Sequence, residues 1–246
     1  MAPTDPFVVL GAGVDAVDII RIIQGKGFPV VAVDQDRNAP GFDLTGHRVY
    51  ASCYDSKAVL DNLSGEPISG VLCGGVDAPY VQAMVAAYYY VVGPTLASAV
   101  MCTNKKLQKG ILARGGVRVP KTIVVPDVMR PLPAHFVIKP LDSRGARGVY
   151  RLSQSTTSDR LRELVEDSRR FSSSGRVLAQ EWIEGDQLST ESLVQGGEVL
   201  WTSIALRNYA RLEEFAPHVI EDGSDLPLSP LYGNGNSPEG KVHDEL

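Results

Sequence analysis

This chain of 246 residues has no excess of positive charge. It carries 24 lysines and arginines against 29 aspartates and glutamates, so its formal net charge is −5. Proteins that bind nucleic acids through a basic surface show the opposite balance, because that surface must neutralise phosphates. We therefore expect no nucleic-acid partner.

Cysteine is also scarce. Cys53, Cys73 and Cys102 follow no metal-binding spacing, and they cannot all form pairs because their number is odd. Such a set favours free thiols in a reducing compartment. We therefore expect a cytoplasmic protein.

Long apolar runs are missing as well. No apolar segment approaches the roughly 20 residues that a membrane-spanning helix needs, and no positive region of a signal peptide precedes the first apolar run. We expect no membrane association. What is present is an ordinary globular composition, with 43% hydrophobic and 22% charged residues, in a chain long enough for one or two domains.

The first 34 residues have the pattern of a β–α–β unit. A strand over 7–10 leads into a turn with Gly11 and Gly13, a helix with Ala16 on its apolar face follows, and a second strand ends at Asp34. This spacing matches the start of a dinucleotide-binding fingerprint, whose acid holds a ribose. The same turn also serves simply to pack a helix on a strand, so both interpretations stay open.

Strands and helices continue to alternate as far as residue 93. Helices are predicted over 55–63 and 77–88, with a strand over 69–73 between them. Alternation of this kind is typical of a parallel, doubly wound α/β sheet with right-handed crossovers. We predict a Rossmann-like domain over residues 1–93, and Gly93 and Pro94 mark its end.

The pattern changes after this break. A lysine-rich helix over 104–113 precedes strands at 122–125, 136–139 and 149–152, a helix over 156–171, a strand at 177–183 and a hairpin over 188–206. We predict an α+β domain over residues 94–222. Residues 223–246 are rich in Gly, Pro, Ser and Asn without periodicity, so they are predicted to be loop or disordered.

A Gly-rich, basic loop joins two of these strands. Lys139 ends the first strand, and the loop that follows carries Arg144 and Arg147 together with Gly145 and Gly148. Glycines let backbone N–H groups approach an anion closely, and an ammonium group suits a phosphate oxygen. A phosphate clamp and a plain solvated hairpin are equally compatible with this stretch alone.

Three motifs in order decide between these alternatives. They are TNKKLQKGILARGGVRVP, FVIKPLDSRGARGVYRL and VLAQEWIEGDQLSTESL. Together they make residues 7–222 resemble the ATP-grasp superfamily of carboxylate–amine and carboxylate–thiol ligases, which includes biotin carboxylase, D-alanine–D-alanine ligase and carbamoyl-phosphate synthetase. The resemblance implies a Rossmann-like domain of the kind that precedes the ATP-grasp domain, and then an incomplete α+β ATP-grasp domain.

The resemblance also implies how ATP is held. Lys105 would contact the phosphates, Lys139 would contact the α-phosphate side, and residues 143–148 would close over the β- and γ-phosphates. Lys105 and Lys139 are therefore expected to converge on one triphosphate.

Residues 180–183 would be a hinge at which the backbone of Glu181 and Ile183 reads the adenine edge. The family usually holds the ribose with an acid where Gln187 stands here, and Glu191 is a nearby acid that could serve instead. The residues that the resemblance assigns to ATP are Lys105, Lys139, Ser143, Arg144, Gly145, Arg147, Gly148, Gln180, Glu181, Trp182, Ile183, Gln187 and Glu191.

The implied reaction needs ATP, Mg²⁺ and a small carboxylate substrate. The carboxylate attacks the γ-phosphate, and an amine or similar nucleophile then opens the acyl phosphate. Under this interpretation Gly11, Gly13 and Asp34 line the carboxylate cleft and do not bind NAD.

One feature of the family is missing from the pattern. Its Mg²⁺ ligands lie on late strands, and no strand pattern after Glu221 presents such acids. The metal ligands and catalytic residues therefore stay unassigned. We expect a truncated, partial or degenerate relative that is catalytically incomplete and binds Mg·ATP weakly or not at all.

Two rival functions stay open at this point. An NAD(P)-dependent oxidoreductase would use the N-terminal Gly-rich turn, and a non-catalytic nucleotide-binding protein would explain the missing metal ligands. The sequence does not identify the carboxylate or the nucleophile. It is compatible with a homodimer but carries no signal for the oligomeric state.

Overall fold

A parallel sheet is built from the apolar runs of the N-terminal half. The structure, a computed structural model, describes residues 5–63, 65–126, 132 and 135–226. Two compact units divide the chain, Met1–Val117 and Arg118–Leu246, which are called unit 1 and unit 2 below. The predicted domain boundary at residues 93–94 stays a prediction.

Unit 1 alternates strands and helices as predicted. Its elements are β1 (Phe7–Leu10), α1 (Ala16–Gly25), β2 (Val30–Asp34), a 3-10 helix (Pro40–Leu44), β3 (His47–Tyr50), α2 (Ser56–Asn62), β4 (Gly70–Cys73), α3 (Pro79–Tyr88), α4 (Leu96–Thr103) and α5 (Lys105–Arg114). The four strands are parallel, in the order β3-β2-β1-β4. The pattern analysis missed β3, because Val49 alone of its four residues is buried.

Helices cover both faces of this parallel sheet. Val9 of β1 packs with Ile20 of α1 on one face. Val8 of β1 packs with Val59 of α2 and Val85 of α3 on the other face. Successive residues of a strand point to opposite faces, so an apolar strand such as β1 can serve both clusters. The predicted doubly wound α/β unit is confirmed.

Unit 2 contains two antiparallel sheets and one long helix. Its elements are β5 (Thr122–Val124), β6 (Phe136–Pro140), β7 (Tyr150–Arg151), α6 (Ser158–Arg170), β8 (Val177–Glu181), β9 (Leu188–Gln195), β10 (Glu198–Asn208) and β11 (Gly223–Asp225). One sheet has the order β5-β8-β6-β7, and the other has the order β11-β10-β9. The α+β character predicted for the second half is therefore present.

Helix α6 covers one face of the four-stranded sheet. Leu161, Leu164 and Val165 pack against Ile138 of β6 and Ala179 of β8. Burying these side chains removes apolar surface from water, which contributes roughly 25 cal/mol per Å². The opposite face, which we call the open face because α6 does not cover it, carries the other residues of each strand.

The prediction for residues 223–246 was wrong in one respect. Residues Gly223–Asp225 form strand β11, which pairs with residues 206–208 of β10. A Gly-Ser-Asp segment has no apolar alternation, so pattern analysis cannot detect a strand that is held by backbone hydrogen bonds at a sheet edge. Residues 227–246 lie outside the described residues. Within the described chain, no helix is both long and apolar enough to cross a bilayer.

Candidate functional site

Strand register brings two predicted ATP residues to the open face of unit 2. Gln180 of β8 lies opposite Val137 of β6, and Leu178 lies opposite Lys139. Residues directly opposite each other in an antiparallel pair share a face, as do residues two apart along a strand. Gln180 and Lys139 therefore lie on one face as diagonal cross-strand neighbours, roughly 7 Å apart.

Lys139 is a half-buried cation on this face. Its neighbours Val137 and Leu178 are buried apolar residues. The flanking residues Ile138 and Pro140 point to the α6 side, so the alternation of β6 directs Lys139 away from α6.

The predicted hinge begins where β8 ends. The N–H of Glu181 donates to the carbonyl of Lys121 at 2.9 Å, and the N–H of Trp182 donates to the carbonyl of His135 at 2.8 Å. Ile183 is exposed, and its N–H makes no hydrogen bond to the described part of the chain. The hinge thus has one backbone donor available to a ligand.

Two polar side-chain atoms near this hinge are buried without a partner. Within the described residues, Oε1 of Gln180 and Nε1 of Trp182 make no hydrogen bond. An unsatisfied buried polar group is costly, and such groups are rare in native proteins. A bound base or sugar with complementary groups would satisfy them, so the residues at the hinge fit a nucleotide.

Arg151 connects the hinge to the rest of unit 2. Its guanidinium lies 4.6 Å from the centre of the Trp182 ring, 3.3 Å from Glu184 and 2.5 Å from Glu213. These contacts join β7, the hinge and the segment before Pro217, whose carbonyl accepts the N–H of Arg151 at 2.7 Å. We did not predict Arg151, although its alternation with Tyr150 places it on the open face.

The Gly-rich loop lies at the carboxyl end of α6. Gly148 has a φ of +69°, and a Cβ there would stand 2.8 Å from the Phe171 ring. Only glycine permits this backbone conformation together with so close an approach. Arg144 and Arg147 line a cavity of about 310 Å³ with Arg170. The predicted closure of this loop over phosphates stays a prediction.

Asp142 fixes the start of this loop. Its oxygens accept hydrogen bonds from the hydroxyls of Ser172 at 2.7 Å and Ser173 at 2.9 Å, and from the N–H groups of Ser173 and Ser174 at 3.1 and 3.0 Å. Burial alone would raise the pKa of Asp142, but these hydrogen bonds outweigh that effect and hold it below its ordinary range.

Gln187 and Glu191 lie in the β9 region of the second sheet. The carbonyl of Gln187 accepts the N–H of Arg207 at 2.8 Å, and Glu191 lies opposite Ser203. Both side chains are exposed. Their contact with a ribose stays a prediction.

Lys105 is the first residue of α5 in unit 1. Asn104 caps this helix, because its side-chain oxygen accepts the N–H groups of Lys106 at 3.1 Å and Leu107 at 3.0 Å. Since Lys105 belongs to unit 1 and Lys139 to unit 2, the convergence of the two amines on one triphosphate stays a prediction.

The N-terminal acid is tied to its own turn. One oxygen of Asp34 accepts the N–H of Ala12 at 2.9 Å, and the other accepts the N–H of Asp36 at 2.9 Å. Gly11 has a φ of +96°, and a Cβ there would stand 2.4 Å from the carbonyl of Gly74. These contacts give Gly11 and Asp34 a role in packing the turn, and the substrate role of Gly11, Gly13 and Asp34 stays a prediction.

The described residues do not provide an evident magnesium site. In the described ranges there is no group of three or more His, Cys, Asp or Glu side chains that could hold a metal. Glu213, Glu221 and Asp222 instead each form an ion pair with an arginine.

The comparisons with known proteins agree with the motifs. Residues 102–216 match the family model of the ATP-grasp domain. No curated protein sequence matches the chain.

Solved structures share its fold at low sequence identity. N5-carboxyaminoimidazole synthetase from Staphylococcus aureus, solved with ADP, has a TM-score of 0.72 and 14% identity over 99% of this chain and 62% of its own. L-amino acid ligase from Bacillus licheniformis has a TM-score of 0.69 and 18% identity over 90% of this chain and 54% of its own.

A third similar structure is phosphoribosylglycinamide synthetase from Anaerococcus prevotii, with a TM-score of 0.64 and 16% identity over 92% of this chain. The chain spans 57% of that protein's length. It spans less than two thirds of the length of each of these three proteins. Residues 102–216 thus match the ATP-grasp domain family, and the chain shares its fold with the three solved structures.

Proposed function

We propose that this chain binds ATP on the open face of the β5-β8-β6-β7 sheet. The hinge at 180–183 would take the adenine, and Lys139 would take the phosphates. The observation that carries this proposal is the pair of buried, unpartnered polar atoms of Gln180 and Trp182 on the element next to Lys139. A nucleotide would satisfy these two polar atoms and bring a phosphate to Lys139.

The electrostatics support this placement. ATP carries about four negative charges, and one ammonium at contact with one of them contributes roughly 4 kcal/mol at an effective dielectric constant near 20. Lys139 is half-buried among apolar residues, where solvent screens a charge less than at the surface.

We further propose that bound ATP serves a carboxylate–amine ligase. An oxygen of the substrate carboxylate would attack the γ-phosphorus, and the bond to the β,γ-bridging oxygen would break as ADP leaves. The amine nitrogen would then attack the acyl carbon and lose a proton to solvent, while the acyl C–O bond breaks and inorganic phosphate leaves. Such phosphoryl transfer depends mainly on positioning and charge neutralisation.

Mg²⁺ belongs to this proposal only as an expectation from the family. The described residues do not fit a metal, because no group of three or more His, Cys, Asp or Glu side chains among them could hold one. We derive no step through a metal. We propose instead that residues 1–246 bind nucleotide weakly and do not turn over by themselves.

The same observation favours a second candidate, a non-catalytic nucleotide-binding protein. It would use the hinge and Lys139 in the same way and would need no metal ligands. The NAD(P)-dependent alternative has less support, because both oxygens of Asp34 already accept backbone N–H groups.

Calorimetric titration of the full chain with ATP tests the nucleotide site. We expect Lys139→Ala to weaken ATP binding at least tenfold, which corresponds to about 1.4 kcal/mol. Lys57→Ala is the matched control, because Lys57 is exposed and pairs with Asp61 in unit 1. Equal ATP binding by wild type and Lys139→Ala would contradict the proposed site.

Two further measurements separate the candidate functions. Release of ADP and phosphate that requires both a carboxylate and an amine, together with formation of the amide, would show that the chain acts as a ligase. Saturable quenching of NADH fluorescence, unchanged by Lys139→Ala, would favour the oxidoreductase. Tight ATP binding that requires Mg²⁺ would overturn the proposed incompleteness.

A further inference from the structure

We propose that Arg151 is a positioning residue for the hinge, because it holds the Trp182 ring in place. This inference rests on the proposed nucleotide site at residues 180–183. Arg151 belongs to β7 and is not among the residues that the ATP-grasp resemblance assigns to ATP. Its place on the sheet, its contacts and the shape of its side chain all support this role.

Arg151 lies in the same row of the open face as Gln180. It is opposite Val137 of β6, and Val137 is in turn opposite Gln180 of β8. Residues that are directly opposite each other share a face of the sheet. Neighbouring strands are about 4.8 Å apart, so the α-carbons of Arg151 and Gln180 are roughly 10 Å apart. The Arg151 side chain extends toward the hinge, since its guanidinium lies 4.6 Å from the centre of the Trp182 ring.

The same guanidinium contacts the two segments that lead into and out of the β9–β10 hairpin. Glu184 lies on the segment before the hairpin, 3.3 Å from Nη2 of Arg151. Glu213 lies on the segment after it, 2.5 Å from Nη1. The returning chain then passes along β7, where the N–H of Arg151 donates to the carbonyl of Pro217 at 2.7 Å. Arg151 therefore holds the hinge at the point where the hairpin joins the four-stranded sheet.

These contacts depend on the shape of the guanidinium more than on its charge. The Arg151 side chain is 23% exposed, whereas those of Glu184 and Glu213 are 76% and 82% exposed. Solvent screens both ion pairs, so each of them alone contributes little to stability. The planar guanidinium can stack on the Trp182 indole while its N–H groups face two carboxylates. A lysine ammonium would keep the charge but has no flat surface that could align the indole.

The position of the Trp182 ring decides where its indole N–H points. Nε1 of Trp182 and Oε1 of Gln180 are buried and make no hydrogen bond to the described part of the chain, and these two atoms carry the proposed nucleotide site. Trp182 follows the last residue of β8, so its ring is oriented by side-chain contacts such as that with Arg151. A ring released from Arg151 would have to be ordered when a nucleotide binds, and this ordering weakens the affinity.

Fluorescence of Trp182 tests the contact without any ligand. The chain has two tryptophans, so Trp201→Phe leaves Trp182 as the only indole. In this background we expect Arg151→Ala to raise the acrylamide quenching constant roughly twofold and to shift the emission to longer wavelength, because the ring loses its cover. Arg162→Ala is the matched control and should change neither value, because Arg162 is an exposed arginine that pairs with Asp159 within α6.

Calorimetric titration with ATP measures the consequence for the site. We expect Arg151→Ala to weaken ATP binding roughly fivefold to tenfold, and Arg151→Lys to fail to restore the wild-type affinity. Glu213→Gln should have a smaller effect than Arg151→Ala, because the stacking on Trp182 and the contact with Glu184 remain. A purely structural role would lower the stability of Arg151→Ala in urea and leave its Trp182 quenching and ATP affinity unchanged, which would overturn the proposal.

The two measurements also separate this inference from the proposed function. If wild type binds no ATP while Arg151→Ala increases the quenching of Trp182, the proposed function fails and the holding of the ring by Arg151 is supported. If wild type binds ATP and Arg151→Ala changes neither value, the role of Arg151 is overturned and the nucleotide site stands. If Arg151→Ala does not fold, Arg151→Lys decides, because wild-type quenching and ATP affinity in that variant would overturn the proposal.

Discussion

At the scale of single residues, the described part of unit 2 uses arginine–carboxylate contacts mainly to hold segments in place. Arg151 joins the hinge to Glu213, and Arg207 joins β10 to Glu221. These contacts span 62 and 14 residues of sequence. They fix the geometry around the candidate nucleotide site and occupy acids that could otherwise bind a cation.

Asp142 offers a prediction on pH dependence. We expect Asp142→Asn to lower the free energy of unfolding at pH 7 by about 1–2 kcal/mol, because an amide cannot accept all the hydrogen bonds that residues 172–174 donate. The pKa of Asp142 is lower in the folded state than its ordinary value of 3.8. The contribution of the Asp142 carboxylate to the free energy of unfolding is therefore present above pH 3.8, and it is lost as the pH falls through the lower pKa of the folded state.

Urea denaturation of both proteins between pH 7 and pH 2 checks this expectation. The stability difference between wild type and Asp142→Asn should narrow below pH 3.8. Asp18→Asn serves as the control, because Asp18 is 86% exposed. A difference that stays constant over the whole range would show that the carboxylate charge does not matter.

At the scale of elements, the two glycines of the loop between β6 and β7 have different structural roles. Gly145 and Gly148 both have positive φ, at +62° and +69°. A Cβ on Gly145 would meet nothing within 4 Å, whereas one on Gly148 would meet Phe171. One glycine serves backbone conformation alone, and the other also serves close packing on α6.

This difference predicts unequal effects of two equivalent substitutions. Gly145→Ala should cost about 1–2 kcal/mol of stability, which is the price of the left-handed conformation. Gly148→Ala should cost a further 1–3 kcal/mol, roughly, because it also overpacks the contact with Phe171. Urea denaturation of the two variants measures the difference. Equal losses would mean that the loop does not dock against α6.

At the scale of the whole molecule, burial is unevenly distributed. Apolar clusters cover both faces of the sheet in unit 1 and the α6 face of the sheet in unit 2. The tip of the β9–β10 hairpin is different, because every side chain over residues 191–200 is exposed, including those of Leu193, Val194 and Leu200. This hairpin is held by its backbone ladder and has little packing.

Native-state hydrogen exchange should reflect this distribution. We expect amides of residues 191–200 to exchange through local opening, at least a hundredfold faster than amides of strand β8, because few buried apolar contacts oppose the opening. Strand β1 in unit 1 is the second reference for slow exchange. Protection of the hairpin tip equal to that of β8 would show that another surface covers it in solution.

Much of the fold could be predicted from the sequence. The apolar spacing of Ile20 and Ile23 predicted the buried face of α1, and that of Leu161, Leu164 and Val165 predicted the buried face of α6. These predictions held because helical periodicity alone decides which side chains can share one face. The residues of the three ATP-grasp motifs could also be named from the sequence, because the glycines, the lysine and the hinge residues of each motif are close together in the chain.

The tertiary structure decided what depends on contacts between distant segments. Strand register placed Lys139 on the same face as Gln180, and the Gly-rich loop lines one cavity together with Arg170. No local pattern encodes these positions, because each arises from hydrogen bonds and packing between residues that are far apart in the chain. The sequence by itself determined most of the elements and the resemblance to ATP-grasp ligases, and the assembled strands decided which side chains share a face.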